Sequence, residues 1–393
     1  MKPRLSIVGF GADRPMSPRG ERALAVADAA VQIADVELIR PARAVALRGR
    51  VRPLARVASP AMLDCWEPEA WWTLNGRSSR PDGALLIGFP FSPVYWAARW
   101  LVRMGVSYIV DLGDPWSLTL PAEETPVMGR LRAARCERFV WRFASAGVVT
   151  TQLQADALRR VRPDLPIIVR PNGFRPVRPP ARSTPPPPGR TLRLVHYGNL
   201  YGSRLAIAPL LSGLAVCGRW DSVVFTQYGA DWTGALNGLP RGVRVQVRPP
   251  LAWEEVVATA AEHHLAVVVG NRNPAQLPSK AVQYLTLPIP RVAVVGGQTT
   301  DALTDYVRGN PGWVTVPWDA PADVAARALA AHAEHAWTLG QLAPPAAESW
   351  DEVAQALVEV VREHALEAPA QPATAPSRSA RAMAAATSSH PRW

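Results

Sequence analysis

The chain predicts an α/β protein of two doubly wound, Rossmann-like domains facing each other across a cleft. Three observations lead there. Short apolar runs alternate with helical patterns over residues 1–173, the alternation restarts after residue 190, and a Pro-crowded stretch separates the two. Alternating strand and helix implies parallel βαβ units with helices on both faces of a sheet. At 393 residues the chain has room for two such domains, each with its own core.

In the first domain, 1–173, strands are expected at 5–8, 36–39, 84–87, 108–110, 147–150 and 167–169, and helices at 21–33, 94–104, 127–143 and 152–161. Ala97, Trp100, Leu101 and Met104 share one face of the second helix, a pattern read as core packing rather than a ligand box. Pro176, Pro179, Pro180 and the run Pro185 to Pro188 mark residues 174–190 as a linker, because Pro-rich chain stays extended and semi-rigid. The second domain, 191–345, has expected strands at 192–196, 222–227, 243–247, 265–269, 291–295 and 312–316. Its helices are expected at 205–216, 253–263, 279–286, 300–307 and 322–339. Over 346–366, Val353, Leu357, Val360 and Val361 line one face of an amphipathic helix. Residues 367–393, rich in Ala, Pro, Ser and Arg, are expected to be a disordered tail.

The formal net charge of +11 invites a nucleic-acid reading, but the basic residues are scattered and almost all Arg; the only lysines are Lys2 and Lys280. Arg and Pro enrichment together is also what a GC-rich genome produces. What basic character remains suits phosphorylated donors, anionic lipid surfaces or acidic acceptors. Cys65, Cys136 and Cys217 are far apart and form no Cys-x-x-Cys pair, which argues against a disulfide framework or a zinc site and fits a reducing compartment. The N-terminus runs straight into a strand pattern without a secretory signal, and no run reaches the roughly 18 apolar residues of a membrane span. A cytoplasmic protein is expected, with peripheral membrane contact left open.

The most informative stretch is Pro278-Ser279-Lys280, which follows the buried run 265–269 and opens a helix. A helix start offers unpaired N–H groups and positive dipole, and Lys280 adds a full charge, so the place suits a phosphate. The same lysine reads equally as a solvated helix-start residue. Gly198-Asn199-Leu200-Tyr201 follows the first strand of the same domain, with Gly202, Ser203 and Arg204 beyond. Glycines there let the backbone approach a phosphate, and Asn199, Ser203 and Arg204 can donate hydrogen bonds. In the first domain, Asp111-Leu112-Gly113-Asp114-Pro115-Trp116 falls at a strand's C-terminal edge. A carboxylate there can orient an acceptor hydroxyl or act as its base, and Trp116 offers a plate for a sugar ring. The alternative is that Asp111 caps a turn and Asp114 precedes a Pro bend.

These stretches resemble the motifs of GT-B glycosyltransferases of the family-4-like group: Pro-Ser-Lys-x-x-Glu-Tyr-Leu, the Gly-Asn-Leu-Tyr opening, and Asp-x-x-Asp-Pro-Trp. Asn172-Gly173-Phe174 resembles the turn that closes the family's first domain. The resemblance implies transfer of a sugar from a nucleotide-diphosphate donor to an acceptor it does not identify (a glycan, a lipid-linked or a small molecule), metal-independent and retaining. Lys280 and Arg204 would hold the leaving diphosphate, with Gly198, Asn199, Ser203, Ser279 and Asn271 around the donor. The catalytic set is Asp114, Lys280 and Arg204; no metal and no cofactor is expected, the nucleotide-sugar being a co-substrate. Gln283 departs from the family's Glu, whose role is to accept hydrogen bonds from ribose, and Ala275 stands where an earlier acid belongs. The neutral amide can still accept one bond through its carbonyl. On the acceptor side the resemblance implies Gly11 in the first-strand loop, Ser92 after Gly88, Asp111 and Trp116. It also implies that the helix of 346–366 crosses back onto the first domain.

Gly9-Phe10-Gly11 lacks the third glycine of a dinucleotide turn, so a Rossmann dehydrogenase is a weak reading. His263-His264 has no carboxylate company, and a structural role is expected for both. Trp66, Trp71 and Trp72 read as core filling or as a seat for a lipid headgroup or sugar. Three alternatives stay open: a nucleotide-sugar epimerase of the same fold, a catalytically inactive binding protein, and a nucleic-acid-modifying glycosyltransferase.

Overall fold

The computed structural model describes residues 1–9, 17–40, 79–89, 91–117, 127–177, 191–201, 207–296, 300–310, 312–338 and 347–367, without the side chains of 333–338. The linker beyond 177, the tail beyond 367 and the Trp66, Trp71 and Trp72 stretch lie outside these residues.

The central apolar runs become strands because they are short, bounded by turns and buried on both faces, while edge strands Asp35–Ile39, Ile167–Val169 and Val243–Arg248 stay partly exposed. The first half consists of β1 (Arg4–Val8), α1 (Pro18–Ala30), β2 (Asp35–Ile39), β3 (Gly83–Gly88), α2 (Phe91–Met104), β4 (Ser107–Leu112), α3 (Val127–Phe143), β5 (Ala146–Val149), α4 (Gln152–Val161) and β6 (Ile167–Val169). Its six strands are parallel, in the order β2-β1-β3-β4-β5-β6. Every residue of β3 and β4 is buried.

The second half holds β7 (Thr191–Tyr197), α5 (Ala208–Val216), β8 (Ser222–Tyr228), β9 (Val243–Arg248), α6 (Trp253–Ala260), β10 (Leu265–Val269), α7 (Ser279–Gln283), β11 (Arg291–Val295), α8 (Ala302–Val307), β12 (Trp313–Pro317) and α9 (Ala322–Thr338). These strands are also all parallel, ordered β12-β11-β10-β7-β8-β9. The order reverses between β1 and β3 in one sheet and between β7 and β10 in the other. Ligands of open α/β sheets bind beyond the carboxyl ends of strands at such reversals.

Several expected helices are shorter than their patterns: 205–216 starts at Ala208, 253–263 ends at Ala260, 300–307 starts at Ala302, and 279–286 also changes type. The helix at 279–286 is α-helical only to Gln283, then tightens to a 3-10 turn over Tyr284–Thr286. Pro288 ends the helix, and Arg291, buried to 1% exposure at the start of β11, caps it. Its guanidinium donates to the carbonyls of Tyr284 (2.6 Å), Leu285 (3.0 Å) and Leu287 (2.9 Å), supplying partners that a helix end leaves unsatisfied.

The last helix, α10 (Trp350–Val361), starts at a capping box. Ser349 Oγ accepts from Glu352 N (3.3 Å) while Glu352 accepts from Ser349 N (2.7 Å), which fixes the start of the helix. Its apolar face packs Trp350, Val353, Leu357 and Val361 against Leu5, Ile7, Ala23 and Val26 of β1 and α1. Phe174 pairs with this crossing, donating its N–H to Glu348 O and accepting from Trp350 N. Arg170 adds an ion pair to Glu348 at 2.7 Å. Leu357→Ala is expected to cost about 3 kcal/mol through the cavity left in this seam, read as a lowered urea midpoint.

His263 and His264 are both buried structural residues. His264 Nδ1 accepts the Arg193 N–H at 2.9 Å, and His263 Nε2 lies 3.2 Å from Thr226 Oγ1. Burial pushes both imidazoles down, His264 from 6.5 to about 4. His264 is therefore neutral in the fold, while the unfolded chain takes up the proton first as pH falls. The stability it contributes is complete above about pH 6.5 and is lost toward pH 4. His264→Asn, whose side-chain oxygen replaces the acceptor, is expected to flatten that part of the stability–pH curve in denaturation at stepped pH.

Candidate functional site: the cleft between the two sheets

A cleft of about 700 Å³ lies where the carboxyl ends of the two sheets face each other. Its volume is in the usual range for small-molecule sites. From the first half it takes α1, the end of β3 and the end of β4; from the second, the ends of β7 and β10, the chain into α6, and α7.

The wall of the second half is built around Gly198, which follows β7 at φ +121. Side chains rarely adopt this conformation, and a Cβ there would lie 3.1 Å from Lys280 Cε. The lysine stem thus crosses directly over the glycine backbone. Gly229, at φ +126 after β8, allows a second close approach, since its Cβ would meet Gly198 O at 2.7 Å. Asn199 Oδ1 fixes this crossing by accepting from Ala230 N at 2.8 Å. Tyr284 ties the end of β7 to the α7 region: its hydroxyl accepts from Tyr197 N at 2.6 Å. Lys280 Nζ donates to Gln283 Oε1 at 2.9 Å and lies 6.0 Å from the Trp253 ring. Asn271 is 6% exposed and donates to Gln276 O at 3.0 Å, which folds the loop after β10. Ser279 lines the cleft at the first position of α7.

The wall of the first half rests on α1. Ser17 caps the helix, its Oγ accepting Gly20 N at 2.9 Å, and this aims Arg19, Glu21 and Arg22 at the cleft. Arg22 pairs with Asp111 at 2.6 Å, with both side chains essentially buried. It also donates to Pro171 O at 2.9 Å and Arg170 O at 3.2 Å. Asp114 pairs with Arg19 and accepts from Gln276 Nε2 at 2.7 Å, so it joins the two halves. Thr151 Oγ1 makes a parallel link to Ala275 O at 2.9 Å. Glu21 pairs with Arg175 at 3.1 Å. Burial pushes the Glu21 carboxyl up, against the pull of Arg175, and pulls the Arg19 guanidinium down to about 10, still cationic at neutral pH.

The structure gathers Gly198, Asn199, Asn271, Ser279, Lys280 and Gln283 on one wall, and Asp111 and Asp114 on the other. Gly11, Ser203 and Arg204 lie outside the described residues. Two expectations are corrected. Trp116 is not a plate for a sugar: it has no exposed surface and stacks on Phe91 at 5.0 Å in the first core. Ser92 is likewise fully buried, on the first turn of α2, and cannot meet an acceptor. Asp111 lines the cleft but is 1% exposed, with one oxygen committed to Arg22, so it positions α1. Sequence reasoning missed Glu21, Arg22, His196 and Gln276. His196, at the end of β7, is 2% exposed with Nδ1 2.8 Å from Val267 O. Its signal was a polar residue after the apolar pair Leu194-Val195, just before Gly198. Among the described residues no three His, Cys, Asp or Glu are grouped to hold a metal.

No protein-family model and no curated protein matches this chain. Solved structures do. HepE of Anabaena, in complex with UDP, aligns with a TM-score of 0.58 at 14% identity, covering 92% of this chain and all of its own. MnaA of S. aureus, also with UDP, gives 0.56 at 10% identity over 95% of this chain and 100% of its own. A Listeria monocytogenes protein provisionally named as a UDP-N-acetylglucosamine 2-epimerase gives 0.55 at 10% identity, covering 95% and 98%. At these identities the likeness is one of fold. The chain has the glycosyltransferase-like GT-B architecture that its two parallel sheets define.

Gly198→Ala is expected to lower unfolding free energy by about 1–3 kcal/mol in urea titration, because alanine at this φ is strained and displaces Lys280. Gly218→Ala, at φ +70 with nothing within 4 Å of its Cβ, serves as a reference for alanine at positive φ without a neighbour.

Proposed function

We propose that the cleft binds a nucleoside-diphosphate sugar and transfers its sugar to an acceptor, by a metal-independent and retaining reaction. The observation that supports this most is Lys280 lying across Gly198 at the strand-order reversal of the second sheet. That spot pairs exposed backbone with a fixed ammonium, as a leaving diphosphate requires when its charge grows in the transition state. Gln283, held beside Lys280, faces the ribose, and Trp253 with Leu251 forms the apolar edge for the base. Asp114, paired with Arg19 and Gln276, orients the acceptor hydroxyl rather than acting as a strong base. Arg204 adds a second cation to the diphosphate. HepE and MnaA were each solved with UDP, which makes UDP the first nucleotide to test.

Lys280→Ala is expected to weaken UDP binding at least tenfold in calorimetry, about 1.4 kcal/mol, without changing the melting temperature of the free protein. Unchanged affinity would overturn the reading. Incubation with UDP-sugars and no acceptor separates the epimerase alternative, which needs none: an epimerised sugar would replace glycosyl transfer as the function.

A further inference from the structure

We propose that the outer face of α3, with the aromatic edge of α2 beside it, docks on an anionic lipid bilayer. α3 turns one broad arc to solvent, and the composition of that arc is unusual. Val127, Met128 and Leu131 are 61%, 62% and 56% exposed, although they begin a helix of a folded domain. Arg132, Arg135, Arg138 and Arg142 continue the same arc toward the C-terminus, all exposed. At helical spacing Met128, Leu131, Arg135, Arg138 and Arg142 follow one another along one side.

Aromatic rings extend this surface onto α2. Phe143 packs on Phe139 (5.1 Å), Phe139 on Tyr95 (5.8 Å) and Tyr95 on Trp96 (5.3 Å), all only partly buried. Arg142 lies over Phe143 at 5.5 Å, and Arg99 lies over Trp96 at 5.4 Å. The two helices contain a single acid, Glu137, which is turned away from the arc and accepts the Ser117 N–H at 2.8 Å. Exposed aliphatics, half-buried aromatic rings and arginines on a helix side that carries no acid within α2 or α3 match an interfacial helix: apolar groups enter the acyl boundary while guanidinium groups meet lipid phosphates. A nucleic acid would use the arginines but leave Val127, Met128 and Leu131 in water. Those three residues favour the bilayer.

Ser117 follows the cleft-lining Gly113 and Asp114, so its bond to Glu137 places the earlier turns of α3 at the cleft end of the sheet. A docked bilayer would therefore lie next to the first-half wall of the cleft. The proposal needs no donor bound in the cleft, and its test uses none.

The test is co-sedimentation of the full chain with phosphatidylcholine vesicles, with and without phosphatidylglycerol. Binding is expected only with phosphatidylglycerol, and high salt should release it. Arg135→Glu with Arg138→Glu is expected to weaken binding at least about tenfold, whereas Arg159→Glu with Arg160→Glu, the same charge change on α4, should leave it within about twofold. Val127→Ser, Met128→Ser and Leu131→Ser together, at constant charge, should also weaken it about tenfold or more. All these side chains are exposed, and the folding of the variants is checked by circular dichroism. No binding to anionic vesicles, equal loss from the α4 pair, or an unaffected serine triple would overturn the proposal. So would equally tight binding to a DNA duplex that the serine triple leaves unchanged, which would assign the surface to nucleic acid.

Discussion

The geometry of the cleft depends on one buried guanidinium. Arg22 reaches from α1 to Asp111 at the end of β4, and its remaining donors take the carbonyls of Arg170 and Pro171. Three chain segments distant in sequence thus converge on one side chain. A charge so buried is tolerable because each guanidinium nitrogen has an acceptor; removing either partner of such a pair typically costs about 3–5 kcal/mol. The same arrangement sets the direction of α1, and so places Arg19 and Glu21 on the cleft wall. It also anchors the chain just before it leaves the first sheet at Phe174, where α10 begins its return path.

Electrostatically the two walls differ. On the first wall Arg19, Arg22 and Arg175 each face a carboxylate, so their charge is largely spent within the protein. On the second, Lys280 meets the neutral amide of Gln283 and the face of Trp253. An anion entering the cleft meets the Lys280 ammonium over the Gly198 backbone, with Glu254 also lining the cleft and with Glu21, whose carboxyl the Lys280 charge acts on, on the first wall. Gln283, a neutral amide, takes a hydrogen bond from Lys280 without offsetting its charge.

Much of the fold was legible in the sequence because parallel strands buried on both faces announce themselves as unbroken apolar runs, such as Leu265–Val269. Helix ends were less legible. The turn at Tyr284 is capped by Arg291, which lies beyond the helix and acts through space. For the site, short motifs gave the right neighbourhood but not the direction of each side chain. Asp114 and Trp116 sit two residues apart, yet the first opens to the cleft and the second turns into the core against Phe91. Glu21, Arg22 and Gln276 were illegible because each matters through a partner far along the chain, and no local pattern records that partner.

The bond between Gln276 and Asp114 has a consequence for the order of events in the cleft. Gln276 belongs to the loop that Asn271 folds after β10, beside Ser279 and Lys280, while Asp114 belongs to the opposite sheet. A ligand that shifts this loop acts on its contact with Asp114 and on the Thr151–Ala275 bond beside it, the second link between the halves. The two walls are then thermodynamically linked: whatever factor a ligand on one wall imposes on affinity at the other is returned in full. Two substrates entering from opposite sides would not bind as strangers.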